Sequence, residues 1–222
     1  MKIVACNGSP RKEWNTATLL QHVLNGAASV GAQTSMHHLY DYTFTGCRSC
    51  MLCKRKGLSG KRQCAMKDEL TPLLEEIAGA DALVMGSPVY FYGETGVFRC
   101  FMERLLFPWL SYEKDVASYY TGKFPCALIY TMNITEKEME GNRSGLPEWL
   151  KLDTVKVAPH FFTRVFGHCE TLLCTDTMQV EDYDAYAMSK YDAEAKQRGR
   201  DTRFVEDCAK ATALGRRLCG WK

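Results

Sequence analysis

The chain has 222 residues, and we expect one domain over 1–222, because this length suits a single large α/β domain. Hydrophobic residues make up 46% of it and charged residues 24%, which excludes a disordered chain, and the formal net charge of +2 predicts no nucleic-acid partner. No apolar stretch approaches the roughly 20 residues of a membrane span, so the sequence predicts no membrane association and a cytoplasmic location.

Strands and helices alternate along the predicted chain. Short apolar runs predict strands over 3–6, 82–86, 126–132 and 170–175, and a weaker extended segment is predicted over 34–39. Apolar residues at helical spacing predict helices near 15–31, 70–78, 96–106 and 204–218. Because each right-handed crossover lays a helix on the sheet, this order predicts a parallel five-stranded α/β sheet with helices on both faces.

Two predicted connections are longer than compact domains usually leave unstructured. The first is a cysteine-rich loop over 40–68, and the second is a long insertion over 133–169. Within the insertion, the irregular pattern suggests a helix near 147–152 and an edge strand near 161–165. Loops of this length usually carry binding or assembly surfaces.

The segment between the first strand and the first helix is typical of a phosphate-binding loop. Residues 7–11 read Asn-Gly-Ser-Pro-Arg, and Asn15 and Thr16 open the helix. Because helix N-termini leave N–H donors unpaired, Ser9, Asn15, Thr16 and backbone amides could hold a phosphate, with a further bond from Arg11. The absence of a Walker or G-x-G-x-x-G sequence favours a mononucleotide. The alternative is a helix cap preceded by a simple turn.

An aromatic loop follows the third predicted strand. Residues 86–93 read Gly-Ser-Pro-Val-Tyr-Phe-Tyr-Gly and carry no charge. In open α/β sheets, ligands bind at the carboxyl ends of the strands. Tyr90 and Phe91 could therefore lie against a planar ring while the backbone amides of Val89 to Phe91 meet its polar edge. The alternative is that these aromatic side chains fill the core.

Together, these segments resemble the flavodoxin-like NAD(P)H-dependent FMN reductases and, within that family, the iron-sulfur flavoproteins. The resemblance covers about the first 130 residues and, more weakly, the last helix. Its matching residues are 7–11, 15–16, 79–82, 86–91, 95–96 and Arg104. The resemblance implies a flavodoxin-like doubly wound five-stranded sheet and hydride transfer from NAD(P)H to FMN. It also implies electron release to a small-molecule or protein acceptor, and a homodimer.

The resemblance further implies which residues hold the cofactor. The FMN phosphate would be bound by Ser9, Arg11, Asn15 and Thr16. The isoalloxazine would be framed by Pro88, Val89, Tyr90, Phe91 and Gly93. The pocket would be completed at the end of the fourth strand by Met132 and Asn133. No general acid or base is identified from the sequence.

The predicted loop 40–68 holds four of the 11 cysteines. Cys47, Cys50 and Cys53 form C-x-x-C-x-x-C, and Cys64 follows after the ten residues 54–63. Close thiolate spacing suits a [4Fe-4S] cluster, and the resembling iron-sulfur flavoproteins carry the same triplet, although their fourth cysteine usually comes sooner. The spacing leaves open a zinc site and a loop of metal-free thiols, redox-active or not.

Three functions follow from these motifs, in order of preference. The first is an FMN-dependent oxidoreductase that transfers electrons from NAD(P)H to a small acceptor. The second is an iron-sulfur flavoprotein carrier that passes electrons between FMN, a cysteine-held cluster and a protein partner. The third, least favoured, is a zinc-containing nucleic-acid-binding module, suggested by the basic residues beside the cysteines.

Overall fold

The fold is built on one parallel five-stranded sheet, in a computed structural model that describes residues 1–56, 63–139 and 154–221. The strands are β1 (Lys2–Asn7), β2 (Gln33–His38), β3 (Ala82–Pro88), β4 (Phe124–Thr131) and β5 (Gly167–Cys174). They lie in the order β2-β1-β3-β4-β5, and each neighbouring pair is parallel. This order is flavodoxin-like and confirms the predicted fold class.

Helices cover both faces of the sheet. They are α1 (Asn15–Ala28), α2 (Leu70–Ala78), α3 (Gly96–Leu106), α4 (Thr154–Phe166), α5 (Ala193–Asp201) and α6 (Arg203–Gly220). Side chains of α1 and α6 pack against one face, and those of α2, α3 and α4 pack against the other. None of the described helices is long and apolar enough to cross a membrane.

The central strands are buried on both sides, which explains their unbroken apolar runs. In β1, Val4 and Cys6 face the core under α2 and α3, whereas Ile3 and Ala5 face the core under α1 and α6. Helices α1 and α6 cross so closely that a Cβ at Gly215 would lie 1.9 Å from a backbone oxygen of α1. This close crossing fixes α1 against the sheet.

The chain departs from the predicted elements in its second half. The edge strand suggested near 161–165 is wrong, because these residues belong to α4. Ala158, Phe162, Val165 and Phe166 are buried at helical spacing, and Pro159 lies within the helix. The suggested helix near 147–152 lies outside the described residues. Helix α5 was not predicted, because its sequence is almost entirely polar.

Candidate functional site

A cleft of about 320 Å³ opens at the carboxyl edge of the sheet, on the ends of β1, β3 and β4. The strand order reverses between β1 and β3, and this is where open α/β sheets bind their ligands. All the residues predicted to bind FMN line this cleft except Gly93. The sequence did not anticipate several other lining residues, among them Trp14, Thr131, Thr177, Met178, Gln179 and Tyr191.

One end of the cleft is the N-terminus of α1. The helix begins at Asn15, and Trp14, its N-terminal flanking residue, makes no side-chain capping bond. No acidic residue lies in the first turn. The Ser9 N–H donates to Asn7 Oδ1 at 2.9 Å, and Ser9 Oγ accepts from the Arg11 N–H at 3.1 Å, which shapes the turn before the helix. The uncapped amides of the first turn are therefore available to an anion.

Two glycines let the predicted phosphate-binding loop, residues 7–11, pack closely on the sheet. The Gly8 N–H donates to Gly86 O at 2.7 Å, and a Cβ at Gly8 would lie 2.8 Å from Phe98 Cδ2. A Cβ at Gly86 would lie 2.6 Å from Thr16 Cγ2. The Thr16 hydroxyl is hydrogen-bonded to the Thr131 hydroxyl at 2.9 Å. These contacts hold Thr16 at the floor of the cleft.

The segment after β5, residues 177–179, closes over the predicted phosphate-binding loop. Met178 O accepts hydrogen bonds from Trp14 Nε1 at 3.1 Å and from Asn15 Nδ2 at 2.7 Å. Asn15 Oδ1 accepts from Arg200 Nη1 at 2.5 Å, so both ends of this amide are engaged. The Arg11 guanidinium donates to the backbone oxygen of residue 179. The Asn15 backbone N–H, rather than its side chain, is therefore the group left for an anion.

An aromatic hairpin forms another part of the cleft lining. Tyr90 and Gly93 exchange backbone hydrogen bonds of 2.8 and 2.9 Å around Phe91 and Tyr92, whose φ angles are +49° and +64°. Positive φ angles at two bulky residues define a type I′ turn at a cost of about 1–3 kcal/mol each. The Phe91 ring is fully exposed at the tip. Such a strained, exposed turn points to a binding role.

Two of the three backbone amides that were predicted to face the ligand are hydrogen-bonded within the protein. The Val89 N–H donates to Thr131 O at 2.9 Å, and the Tyr90 N–H donates to Gly93 O. The expectation that the amides of Val89 to Phe91 all face the ligand is therefore wrong for the first two. Gly93 lies at the base of the hairpin instead of in the cleft, where it completes the turn.

Asn133 supplies a polar side chain to the lining of the cleft. Its Nδ2 donates to Gln179 Oε1 at 2.8 Å. Its buried Oδ1 has no hydrogen-bond partner among the described residues. Buried polar atoms are almost always hydrogen-bonded, so this oxygen is an exception within the lining of the cleft. The cleft thus offers uncapped helix amides to an anion and exposed aromatic side chains to a flat molecule.

A buried carboxylate supports the hairpin from below. Glu94 accepts hydrogen bonds from the Tyr130 hydroxyl at 2.7 Å and from Arg99 Nη1 at 3.1 Å. Burial, followed by the nearby Glu94 carboxylate, raises the pKa of Tyr130, which keeps this hydroxyl a donor. Next along the chain, Thr95 caps α3 and donates to Gly8 O at 2.7 Å. The hairpin, α3 and the phosphate-binding loop are therefore joined.

The four clustered cysteines surround a second, smaller cavity beside the end of α3. Cys47, Cys50, Cys53 and Cys64 all line it. The Ser49 N–H donates to Cys47 Sγ at 3.4 Å, the kind of amide–sulfur bond that accompanies metal-bound thiolates. Within the part of the chain that the structure describes, no three acidic, cysteine or histidine side chains lie in a metal-binding arrangement. The thiols are therefore gathered around one cavity without being at ligating distances.

Lys54 anchors the cysteine loop to the end of α3. Its ammonium donates to the backbone oxygens of Phe107, Pro108 and Leu110, and it lies 4.7 Å from the centre of the Phe107 ring. A lysine at the C-terminal end of a helix is stabilised by the carbonyls there. This residue follows Cys53 directly, so the anchor also fixes the third cysteine.

The first 131 residues match the family of NADPH-dependent FMN reductases. The chain belongs to this family. The matching region contains the phosphate-binding loop, the aromatic hairpin and all four clustered cysteines. It excludes the segment after β5 that closes the cleft, and also α5 and α6.

Curated relatives of this family member are iron-sulfur flavoproteins. One from Methanocaldococcus jannaschii is 35% identical over 104 residues, which are 47% of this chain and 51% of that protein. One from Archaeoglobus fulgidus is 36% identical over 104 residues, which are 47% of this chain and 48% of that protein. The chain thus spans about half the length of the curated relatives it matches.

Solved structures share the fold over nearly the whole chain. The NAD(P)H:quinone oxidoreductase of Methanothermobacter marburgensis superposes with a TM-score of 0.67 at 15% identity, covering 98% of this chain and 96% of that one. An azoreductase of Bacillus anthracis gives a TM-score of 0.61 at 12% identity, covering 98% and 99%. At these identities the likeness establishes the fold alone.

Proposed function

We propose that this protein binds FMN in the cleft and acts as an oxidoreductase that transfers electrons from NAD(P)H through the flavin to a small acceptor. The observation that carries the proposal is a single cleft lined both by an uncapped helix N-terminus and by an exposed aromatic hairpin. A flavin mononucleotide has the matching parts, a phosphate monoester and a flat, largely apolar ring system. Family membership supports the same cofactor.

The residues around the cleft divide the binding of FMN between them. The phosphate end would be held by the first-turn amides of α1 and the hydroxyls of Ser9 and Thr16, with Arg11 adding charge. The ring end would be framed by the hairpin, Met132 and Asn133. Bound FMN supplies hydride acceptance and electron release, and the chain orients it. The exposed hairpin rings offer an apolar surface to nicotinamide or acceptor.

The first test is FMN affinity in a phosphate-end variant. Ser9→Ala combined with Thr16→Ala removes two hydroxyls from a charged ligand, each worth about 1.5–3 kcal/mol. We expect the FMN dissociation constant, measured by flavin fluorescence quenching, to rise at least about 100-fold. The control is Thr18→Ala, since Thr18 lies in the same helix outside the cleft. Equal affinity of the double variant and the control would contradict the phosphate assignment.

The second test is turnover by the FMN-loaded protein. Steady-state oxidation of NADH and of NADPH is followed with a quinone, a dye or free flavin as acceptor. We expect multiple turnovers with at least one of the two nicotinamide nucleotides. If neither NADH nor NADPH reduces the bound flavin, the oxidoreductase assignment is wrong, although the assignment of FMN binding stands.

A second candidate function is that of an iron-sulfur flavoprotein carrier, with a [4Fe-4S] cluster held by Cys47, Cys50, Cys53 and Cys64. Its support is the single cavity shared by these thiols, together with relatives that are named iron-sulfur flavoproteins. After anaerobic reconstitution we expect iron and acid-labile sulfide near four per chain. If the protein instead binds one zinc ion per chain, the loop is a structural zinc site. If it binds no metal, the four cysteines are free thiols. A dedicated carrier would also show slow turnover with small acceptors.

We also propose that the protein is a homodimer. The support is the resemblance to a family whose members commonly assemble, together with a small apolar groove beside α3 and α4 at which the Phe161 side chain is exposed. Multi-angle light scattering of the FMN-loaded protein should give twice the chain mass, and a monomer at micromolar concentration would contradict the proposal.

A cytoplasmic location is proposed from the state of the cysteines. All eleven are free thiols, as expected in a reducing compartment. Fractionation of cells that express the protein should recover it with cytoplasmic markers.

A further inference from the structure

The closing segment after β5, residues 177–179, lies beyond the part of the chain that matches the family, yet it contacts both sides of the FMN cleft. The backbone oxygen of Gln179 accepts a hydrogen bond from the Arg11 guanidinium, which belongs to the phosphate-binding loop. The side chain of Gln179 accepts from Asn133 Nδ2 at 2.8 Å, just after β4. The closing segment therefore bridges the loops that follow β1 and β4.

The same segment encloses the first turn of α1. Met178 O accepts hydrogen bonds from Trp14 Nε1 at 3.1 Å and from Asn15 Nδ2 at 2.7 Å. The residues predicted to bind a phosphate are already covered by protein, since Ser9 and Asn15 are each 5% exposed and Thr16 is 2% exposed. A phosphate held by this turn would therefore have the closing segment beside it.

A phosphate monoester and a pyrophosphate place different demands on an enclosed turn of this kind. The phosphate of FMN has one ester link, which leads back along the ribityl chain to the ring. The corresponding phosphate of FAD has a second link, which leads on to an adenylate and must leave the turn by another route. A binding site can reject a ligand by placing protein where the extra group would lie.

Two cations outside the cleft hold the closing segment in place. Asp176 lies directly before it and accepts hydrogen bonds from Lys196 Nζ at 2.5 Å and from the Arg203 guanidinium. Lys196 also donates to Asn133 O at 2.6 Å. The Asp176 side chain is mostly buried, and a buried carboxylate that loses its cations is costly. Removal of both cations should therefore drive Asp176 into water and move the closing segment with it.

We propose that the closing segment, held by Lys196 and Arg203, is the specificity element that admits a flavin ending in a phosphate monoester, FMN, and excludes the dinucleotide FAD. The inference rests on the proposed binding of FMN. To pass this segment, FAD would have to break the three hydrogen bonds that tie it to Arg11, Trp14 and Asn15. Loss of these bonds corresponds to a dissociation constant for FAD about 100-fold above that for FMN.

The test measures the binding of FMN and of FAD by isothermal titration calorimetry. It compares wild type with Lys196→Met/Arg203→Met and with the control Arg198→Met/Arg216→Met, which removes two exposed cations from the same two helices. We expect wild type and the control to bind FMN about 100-fold more tightly than FAD. The double variant at Lys196 and Arg203 should bind FAD at least about tenfold more tightly than wild type does, because its closing segment is released.

Three outcomes separate the inference from the function on which it rests. If wild type binds neither flavin, the proposed function is wrong, and the inference is wrong with it. If wild type binds FAD as tightly as FMN, the closing segment excludes nothing, and the inference alone is overturned. The inference is also overturned if wild type prefers FMN but the double variant at Lys196 and Arg203 binds FAD no more tightly than wild type does.

A second variant covers a folding defect in the double variant, which far-ultraviolet circular dichroism would reveal. Trp14→Phe keeps an aromatic ring and removes the Nε1 donor to Met178 O. Because Trp14 lines the cleft, the quantity compared is the ratio of FAD affinity to FMN affinity. We expect this ratio to rise about three- to tenfold over wild type. If the double variant is unfolded, an unchanged ratio in Trp14→Phe overturns the inference.

Discussion

Gly86→Ala tests whether close packing of α1 on β3 forms the phosphate end of the cleft. The added Cβ would lie 2.6 Å from Thr16 Cγ2 and 3.1 Å from Leu20 Cδ1. Carbon atoms in contact prefer about 3.5–4.0 Å, so the closer pair overlaps by about 1 Å. Relief requires Thr16 to rotate away from the Thr131 hydroxyl or α1 to move outward, and the tight crossing with α6 opposes that movement.

The cost of the substitution follows from these two routes. Overpacking a well-filled core typically costs about 1–3 kcal/mol, and loss of a buried hydrogen bond costs about 0.5–1.5 kcal/mol more. We therefore expect a loss of about 2–4 kcal/mol in the free energy of unfolding, which lowers the Tm of a protein of this size by about 5–15 °C. Displacement of Thr16 should also weaken FMN at least about tenfold.

The assays are urea unfolding of the FMN-free protein and titration with FMN. The matched control is Gly96→Ala, since a Cβ at Gly96, the first residue of α3, meets no atom within 4 Å. Alanine is the better helix former, so the control should be neutral or slightly stabilised. If Gly86→Ala unfolds like the control and binds FMN as tightly as wild type, the proposed dependence of the phosphate site on this packing is wrong.

Two further changes act on the cysteine loop. Lys54→Met removes an ammonium that is bound to three backbone oxygens. We therefore expect the free energy of unfolding, measured in urea, to fall by about 1–3 kcal/mol. The control Lys56→Met changes an exposed side chain of the same loop and should leave that free energy unchanged. The hydrogen bonds from Arg104 lower the pKa of Asp68, so this carboxylate stabilises the fold above its unfolded pKa of about 3.9. That contribution is lost as the pH falls through the lowered folded value, and Asp68→Asn should reduce the acid dependence of unfolding measured between pH 5 and 2.

The sequence predicted the sheet and most of the cleft because both depend on local signals. Unbroken apolar runs such as Ile3 to Cys6 identify strands that are buried on both faces. The carboxyl ends of parallel strands meet at one edge, so residues after β1, β3 and β4 had to come together there. Ser9, Tyr90 and Met132 lie far apart in the sequence and line the same cleft for this reason.

The closing segment after β5 could not be predicted in the same way. Its bonds to Trp14 and Asn15 come from the backbone oxygen of Met178, and any residue can supply a backbone oxygen. Helix α5 has a polar sequence and is held by particular contacts, such as the hydrogen bond that Lys196 Nζ donates to the backbone oxygen of Asn133 at 2.6 Å. Signals of this kind exist only in the folded chain, because they depend on which segments become neighbours.

Helix α3 connects the FMN cleft to the cysteine cavity. Its cap, Thr95, is bonded to Gly8 O and to Ser87 Oγ beside the cleft, and Arg104 binds the cysteine loop nine residues later. At 1.5 Å per residue, these two points are roughly 14 Å apart along the helix axis. Because the cap is fixed by bonds of 2.7 and 3.1 Å, a change at Arg104 should move α3 little at its first turn. FMN and the proposed cluster should therefore load independently, although one helix carries a contact to each.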